Sequence, residues 1–398
     1  MSARSVAVVG AGAAGLVAAA FAAGQGARVT LIERTKDGGR KILISGGGRC
    51  NVLPSVLAPE RFVTDSPPHL LRAMLRAWPL HEQRAFFERE LNIPLALEEE
   101  SGKLFPRSNR AKDVRDALVA FARARGVTVQ FDTTVSGLAA SDRGFTLDTS
   151  NGAAVYDRVI LATGGLSVPA TGSDGIGLRI ARELAHQMTD TYPALTPLLD
   201  HSGRHASLSG VSLDARLRSK VGKREIETHG GFLFTHRGYS GPSVLDISHV
   251  TEREAAPIIR AQWAPLDADE LAGKDELISS ILSRKIPSRL AEHLLHECGI
   301  PRDRRTSSLK REERNAVIGA VTSYALPWTG NEGYKKAEVT GGGVALTEVD
   351  AKTLESRKVK GLYLCGEMLD AFGPIGGHNF SWAWATGRAA GIAAGAAA

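Results

Sequence analysis

The chain has 398 residues, 23% of them charged, and a formal net charge of +6. That length exceeds one ordinary domain and predicts two or three with ample core. The mild positive balance comes without a dense Lys/Arg block, which argues against a dedicated nucleic-acid binder, and the three cysteines (Cys50, Cys298 and Cys365) form no CxxC pair, so neither a disulfide framework nor a dithiol centre is expected.

Residues 6–9, Val-Ala-Val-Val, are a short apolar run that predicts a strand covered on both faces. Gly10, Gly12 and Gly15 follow, with Ala13 and Ala14 between the last two. Gly10 permits a sharp turn, Gly12 lets backbone approach a pyrophosphate, and Gly15 lets a helix pack close to the strand. A helix over 13–23 aims its first amides at the phosphates. Residues 28–32 read as a second strand with Glu33 at its tip. A carboxylate there accepts hydrogen bonds from both hydroxyls of an adenosine ribose and repels a 2′-phosphate. The order strand, glycine turn, helix, strand, acid predicts a dinucleotide site. The uncharged stretch 5–25 has the outline of a signal peptide, but it is rich in Gly and Ala, and the nucleotide fold explains its glycines. A cytoplasmic protein is expected, and no other stretch approaches a membrane span.

After the polar turn 34–39 comes Gly39-Arg40-Lys41-Ile-Leu-Ile-Ser45-Gly46-Gly47-Gly48-Arg49-Cys50-Asn51. Three glycines between a basic pair and an Arg/Cys/Asn cluster depart from linker chemistry. Backbone without side chains can lie flat against a planar ligand or present amides to phosphate. This segment resembles the second signature of a bacterial and archaeal family of NAD(P)/FAD-dependent oxidoreductases, which includes the flavoprotein associated with bile-acid dehydroxylation. The resemblance implies FAD, held in part by Arg34, Arg40, Lys41, Ser45 and the run from Gly46 to Asn51. The family pattern continues Asn-Val-Thr-Asn where this chain has Asn51-Val-Leu-Pro54, so polar contacts after Asn51 differ.

Residues 55–105 read as helices joined by loops. The segment Ser101 to Arg107 resembles the family stretch that brings two cations, here Lys103 and Arg107, toward the flavin; two solvated surface cations are the alternative. An amphipathic helix over 111–125 carries Val114, Leu118 and Phe121 near one face and is closed by Gly126. A strand over 127–131 follows. In related flavoproteins the backbone matching Val135 bonds the adenine edge. Residues 144–149 and 154–156 read as a hairpin. A buried strand over 157–161 ends in Ala162-Thr163-Gly164-Gly165, whose small residues let the strand tip approach the cofactor. A helix over 177–187 and a proline-bounded stretch 192–199 end the first domain.

Short alternating runs over 200–260 predict a small β-rich, barrel-like unit. The segment 230–242 resembles the family stretch where an inserted domain returns toward the flavin, which aims His236, Tyr239 and Ser240 at substrate; a structural turn is the alternative. Residues 268–298 and 308–325 read as helices of a cap. His293 and His296 share a helical face, but no third ligand accompanies them and no metal is expected. Residues 336–344 return to the first domain. The last core strand ends at Cys365-Gly366-Glu367. FAD folds carry an acid here, usually Asp, on the ribityl chain near the pyrophosphate, and Glu367 would serve with a longer arm. Gly376-Gly377-His378-Asn379-Phe380 opens an apolar helix. Its N-terminus at that place in an FAD fold faces the pyrimidine edge of the flavin, where amides and dipole stabilise negative charge on the reduced ring.

These readings predict an α/β chain. A doubly wound, Rossmann-like FAD domain, discontinuous over 1–192 and 336–398, carries an inserted β-barrel-like substrate domain (193–265 and 326–335) and a helical cap (266–325). The expected activity is FAD-dependent reduction of a C=C or other conjugated bond in a small organic molecule, with hydride from flavin N5. Substrate is expected between the flavin and the inserted domain. Arg49, Cys50, Asn51, Tyr239 and His378 are the candidates for chemistry, with packing the simpler role for Cys50. No second GxGxxG unit follows and no CxxC is present, which argues against a pyridine-dinucleotide disulfide reductase; NADH or NADPH visiting the open flavin face, or a donor protein, would supply electrons. No stable nucleic-acid or membrane partner is expected. A tRNA-modifying flavoenzyme and a non-catalytic flavin sensor or assembly protein are the rival readings.

Overall fold

In the computed structural model, which describes residues 3–272 and 275–397, the apolar run Ser5–Val9 is the central strand of a five-stranded parallel sheet. The strand order is Leu362–Leu364, Arg158–Leu161, Ser5–Val9, Arg28–Ile32, Thr128–Gln130. All five residues of the central strand are buried, as a parallel strand covered on both faces requires.

The helix Ala13–Gly24 follows the glycine turn and packs against the C-terminal helix His378–Gly395. Small residues let the two backbones touch. A Cβ at Gly387, Gly391 or Gly395 would lie 2.4, 2.3 or 2.4 Å from the carbonyl oxygens of Ala14, Ala18 and Ala22. The C-terminal helix thereby brings its first turn to the same end of the sheet as the Gly10 turn.

The chain divides near the expected boundaries into one unit ending at Tyr192 and resuming at Glu338, and a second unit over Pro193–Ala337. Two features of the first unit differ from the expectation. Leu53–Pro54, Leu95–Glu98 and Lys103–Pro106 form a small antiparallel sheet inside the stretch expected to be helical. The expected hairpin is a three-stranded sheet of Val135–Ser141, Gly144–Thr149 and Gly152–Tyr156.

The second unit is built on a seven-stranded antiparallel sheet. Its end strands, Tyr324–Ala325 and Gly330–Asn331, are two residues long and do not pair with each other, so among the described residues no barrel closes. The helices Ile278–Ser283, Ser288–Glu297 and Arg311–Thr322 share one apolar core with this sheet. They are part of the same unit rather than a separate cap, because their Leu and Ile faces have no core of their own to bury.

Candidate functional site

A cavity of about 530 Å³ opens at the carboxyl ends of strands Ser5–Val9, Arg28–Ile32 and Arg158–Leu161, where open α/β sheets bind ligands. One end is shaped by the glycine turn. Gly10 has φ +99°, and a Cβ there would lie 2.6 Å from the Ala162 carbonyl oxygen. A Cβ on Gly15 would lie 1.8 Å from the Gly10 oxygen, so Gly15 serves helix–strand packing and does not line the cavity. At Gly12, by contrast, a Cβ would meet nothing within 4 Å. The chain leaves that space clear in front of the first amides of Ala13 and Ala14, and no side chain caps them. Glu33 is buried at the rim. Its Oε2 accepts from the Ala11 amide at 2.7 Å and its Oε1 from the Thr35 amide and hydroxyl at 2.8 and 2.7 Å. Arg34 pairs with Asp174, and Val135, Ala162, Thr163 and Gly164 continue the wall. Gly165 does not reach it, since its backbone sits against Thr340.

Mid-cavity, Lys41 Nζ donates to Glu367 Oε2 and to Ser167 Oγ, both at 2.6 Å. Glu367 Oε1 accepts from Ser167 Oγ at 2.7 Å and from the Thr340 amide at 3.1 Å. The carboxylate that the resemblance assigned to a ribityl chain is therefore held by three protein donors. Arg40 pairs with Asp37 at 2.9 Å.

At the far end Ser45, Gly46, Gly47, Arg49, Gly376, Gly377, Asn379 and Phe380 line the space, whereas Gly366 lies beside Ala14. Arg49 lies over the Phe105 ring at 4.0 Å and pairs with Glu98 at 2.9 Å. Gly48 turns away from the cavity. Asn51 is buried, with its amide oxygen accepting from the Gly377 amide at 3.0 Å and its nitrogen donating to the Leu53 carbonyl at 3.2 Å. The Asn379 side chain accepts from the Gly373 amide and donates to the Gly373 carbonyl, each at 2.9 Å, which fixes the loop leading into the helix.

Three sequence candidates are placed elsewhere. Cys50 is fully buried and does not line the cavity, and burial pushes its thiol up to about 12; it is a packing residue. The His378 ring turns into the core beside Phe62, where burial holds it down at about 4, so it is neutral and does not line the cavity. Tyr239 is buried in the second unit, its hydroxyl bonded to His205 Nδ1 at 2.7 Å and Asp200 at 3.2 Å, with burial raising its pKa. His236 is exposed and Ser240 half-buried.

His293 does find neighbours, but His296 is not among them. His205, His293 and Glu297 bring ligand atoms within 4.8 Å of one another. Both nitrogens of His205 are taken by the hydroxyls of Tyr239 and Tyr324, at 2.7 and 2.9 Å, and Arg204 sits 3.6 Å from Glu297. The group is a hydrogen-bonded chain running from buried His205 to exposed Glu297, with the Arg204 cation beside it.

Two charged lining residues carry no role in the sequence reading, Asp174 and Glu338. Glu338 does leave a signal, an acid placed immediately before the wholly buried strand Val339–Val344.

The family model for the HI0933-like protein Rossmann domain matches residues 4–393. The chain belongs to this family. Ribosomal RNA dihydrouridine synthase of Escherichia coli K12 is 33% identical over 390 residues, covering 95% of both chains. The 3-dehydro-bile acid delta(4,6)-reductase of Clostridium scindens is 33% identical over 410 residues, covering 98% of both. Among solved structures, 3-ketosteroid-delta4-(5alpha)-dehydrogenase of Rhodococcus jostii RHA1 aligns over 98% of this chain and 97% of its own with a TM-score of 0.51 and 16% identity. A flavocytochrome c3 fumarate reductase aligns over 99% and 78% with a TM-score of 0.51 and 17% identity. At such identities these two show the fold alone.

This HI0933-like family member is an FAD-dependent oxidoreductase. Its cavity fits the cofactor. The clear space at Gly12 before uncapped helix amides suits a pyrophosphate, and the length from Glu33 to Gly376 is continuous. Among the described residues no helix is long and apolar enough to cross a membrane.

Proposed function

We propose that the protein reduces a C=C bond conjugated to a carbonyl. What carries this reading is that two full-length relatives, equally similar to this chain, are named for acting on unrelated molecules that share one reactive unit. Dihydrouridine is uridine saturated at the C=C bond next to a ring carbonyl. A 3-oxo-4,6-diene is likewise a C=C system in line with a carbonyl. A site built for that unit needs a hydride donor, a group that tolerates negative charge and a proton.

Bound FAD supplies the hydride. Gly10, Gly12, Ala13, Ala14, Glu33 and Val135 would hold its adenosine diphosphate end. The flavin end would rest between the Gly46–Gly47 turn and the start of helix His378–Gly395. That helix has eighteen residues and no side-chain cap at Gly377, so its amides and dipole favour the negative charge of the reduced ring. Asn51 keeps the turn in register through the Gly377 amide.

Uracil in ribosomal RNA is the substrate class we place first. Relatives from Escherichia coli and Haemophilus influenzae carry that name, and the chain is basic. RNA would then be a transient substrate. A 3-oxo steroid comes second, and NADH or NADPH is the proposed donor. The test is anaerobic. Photoreduced holoenzyme is mixed with ribosomal RNA lacking dihydrouridine, or with a 3-oxo-4,6-diene steroid, and the return of oxidised-flavin absorbance is followed. Reoxidation with formation of the saturated product is expected. A flavin that no conjugated carbonyl compound reoxidises overturns the proposal and leaves the sensor reading.

A further inference from the structure

Among the described residues four carboxylates line the cavity: Glu33, Asp174, Glu338 and Glu367. Three are held by protein. Glu33 accepts from Ala11 and Thr35, Asp174 pairs with Arg34 and accepts from the Ile176 amide, and Glu367 accepts from Lys41, Ser167 and Thr340. Among the described residues the Glu338 carboxyl accepts no hydrogen bond; the Ser167 hydroxyl reaches only its backbone oxygen, at 3.3 Å. Among the described residues no histidine lines the cavity.

We propose that Glu338 is the general acid of this site, protonating the carbon next to the substrate carbonyl. The assignment rests on the reaction proposed above. Glu338 stands at the entry to the buried strand Val339–Val344, whose backbone cannot move far. Its backbone oxygen shares Ser167 with Glu367 and Lys41, which puts it in the middle of the cavity wall. Lys103 and the Gly376 backbone border the same space, with Lys103 Cε 3.5 Å from where a Gly376 Cβ would stand. Glu338 is thus an accessible acid on a rigid strand, near the glycine turns that would flank the flavin.

Protein crowding raises its carboxyl above the usual range, against the opposing pull of the Lys103 and Lys41 charges. A carboxyl whose proton is held more tightly than usual suits general-acid work. Bound reduced FAD would supply hydride, with its electron pair, to the β-carbon, and a nicotinamide dinucleotide would restore that reductant. The displaced π electrons move toward the carbonyl. The Glu338 O–H bond breaks, its proton forms the new bond to the α-carbon, and the pair left behind makes the carboxylate. Water returns the proton. The Lys103 ammonium is placed to balance the transient negative charge on the carbonyl oxygen.

The test uses FAD-loaded wild type, Glu338→Gln and Glu338→Asp. Infrared difference titration reads the protonated-carboxyl band directly, without turnover. A band persisting above the usual carboxylate range in wild type and missing in E338Q is expected. Flavin reduction by dithionite is expected to be equal in all three, whereas reoxidation by the conjugated substrate falls about 100-fold or more in E338Q and partly recovers in E338D. Wild-type reoxidation should slow as pH rises through the Glu338 titration, with E338Q flat. A wild type that turns over beside an unimpaired E338Q, or an E338Q that keeps the band, overturns Glu338 alone. A wild-type flavin that no conjugated compound reoxidises overturns the reaction, and the acid's role with it.

Discussion

The Asn51 side-chain oxygen accepts from the Gly377 amide at 3.0 Å, tying the glycine turn after Arg40–Ile44 to the start of the C-terminal helix. The amide's orientation follows from its neighbours, since the nitrogen then donates to the Leu53 carbonyl. Gly377 itself has φ +93°, and a Cβ there would lie 2.5 Å from the Leu53 carbonyl carbon. Two walls at that end of the cavity are therefore one hydrogen-bonded piece.

Asn51→Ala should loosen that piece. It leaves a buried amide and a buried carbonyl without partners, a loss of about 1–3 kcal/mol. We expect a lower thermal midpoint and weaker FAD retention together, measured by calorimetry and by flavin released on dilution. An unchanged midpoint with unchanged retention would show that the tie is dispensable.

Gly12 and Gly391 should respond in opposite ways to alanine. Gly12 has φ −77°, which alanine adopts, and open space for a Cβ. Gly12→Ala should fold normally without cofactor and bind FAD about tenfold more weakly, as loss of one close phosphate approach of about 1.4 kcal/mol implies. Gly391→Ala forces a Cβ to 2.3 Å from the Ala18 oxygen, an overpacking that costs about 1–3 kcal/mol in the apoprotein itself. Urea unfolding of both apoproteins separates the two effects.

Cys50 should be inert. A thiol raised to about 12 is neutral at ordinary pH and gives thiolate only as pH approaches that value. Alkylation of the folded protein near neutral pH should spare Cys50 and Cys365, both fully buried, and Cys50→Ala should reduce substrate at close to the wild-type rate. Mass-spectrometric mapping of the labelled cysteines settles it; rapid labelling at Cys50 would revive a chemical role.

Acid should destabilise the fold through its buried histidines. Burial lowers His205 and His378 to about 4 and His249 to about 3. An unfolded histidine takes up its proton near pH 6.5. Between those values the unfolded chain binds more protons, so stability falls as pH drops from about 6.5 toward 4. The urea midpoint should decline over that window, and His378→Gln should flatten the decline. A midpoint independent of pH there would mean that these rings stay solvated.

Much of the adenosine end is legible in the amino-acid sequence. The Gly10–Gly15 turn and Glu33 follow local rules of backbone and strand–helix spacing, and Gly10, Gly12 and Glu33 line the cavity. The flavin end is legible only in outline. Cys50 and His378 sit in the same motifs as residues that line the cavity, yet Cys50 and the His378 ring point into the core, and Asn51, which lines the cavity, also bonds a glycine from the other end of the chain. Spacing along a chain does not say which face of a turn is covered.

The apolar strand runs, the glycine-led turn and the acid at the second strand tip are legible along the chain, because each depends on residues a few positions apart. Which acids are already held and which is free depends on the folded chain. Lys41, Ser167, Thr340 and Glu367 come from four distant segments, and their hydrogen bonds exist only once the chain is folded. That closed network beside the unbonded Glu338 carboxyl is what turns a cofactor cradle into a site with a proton to give.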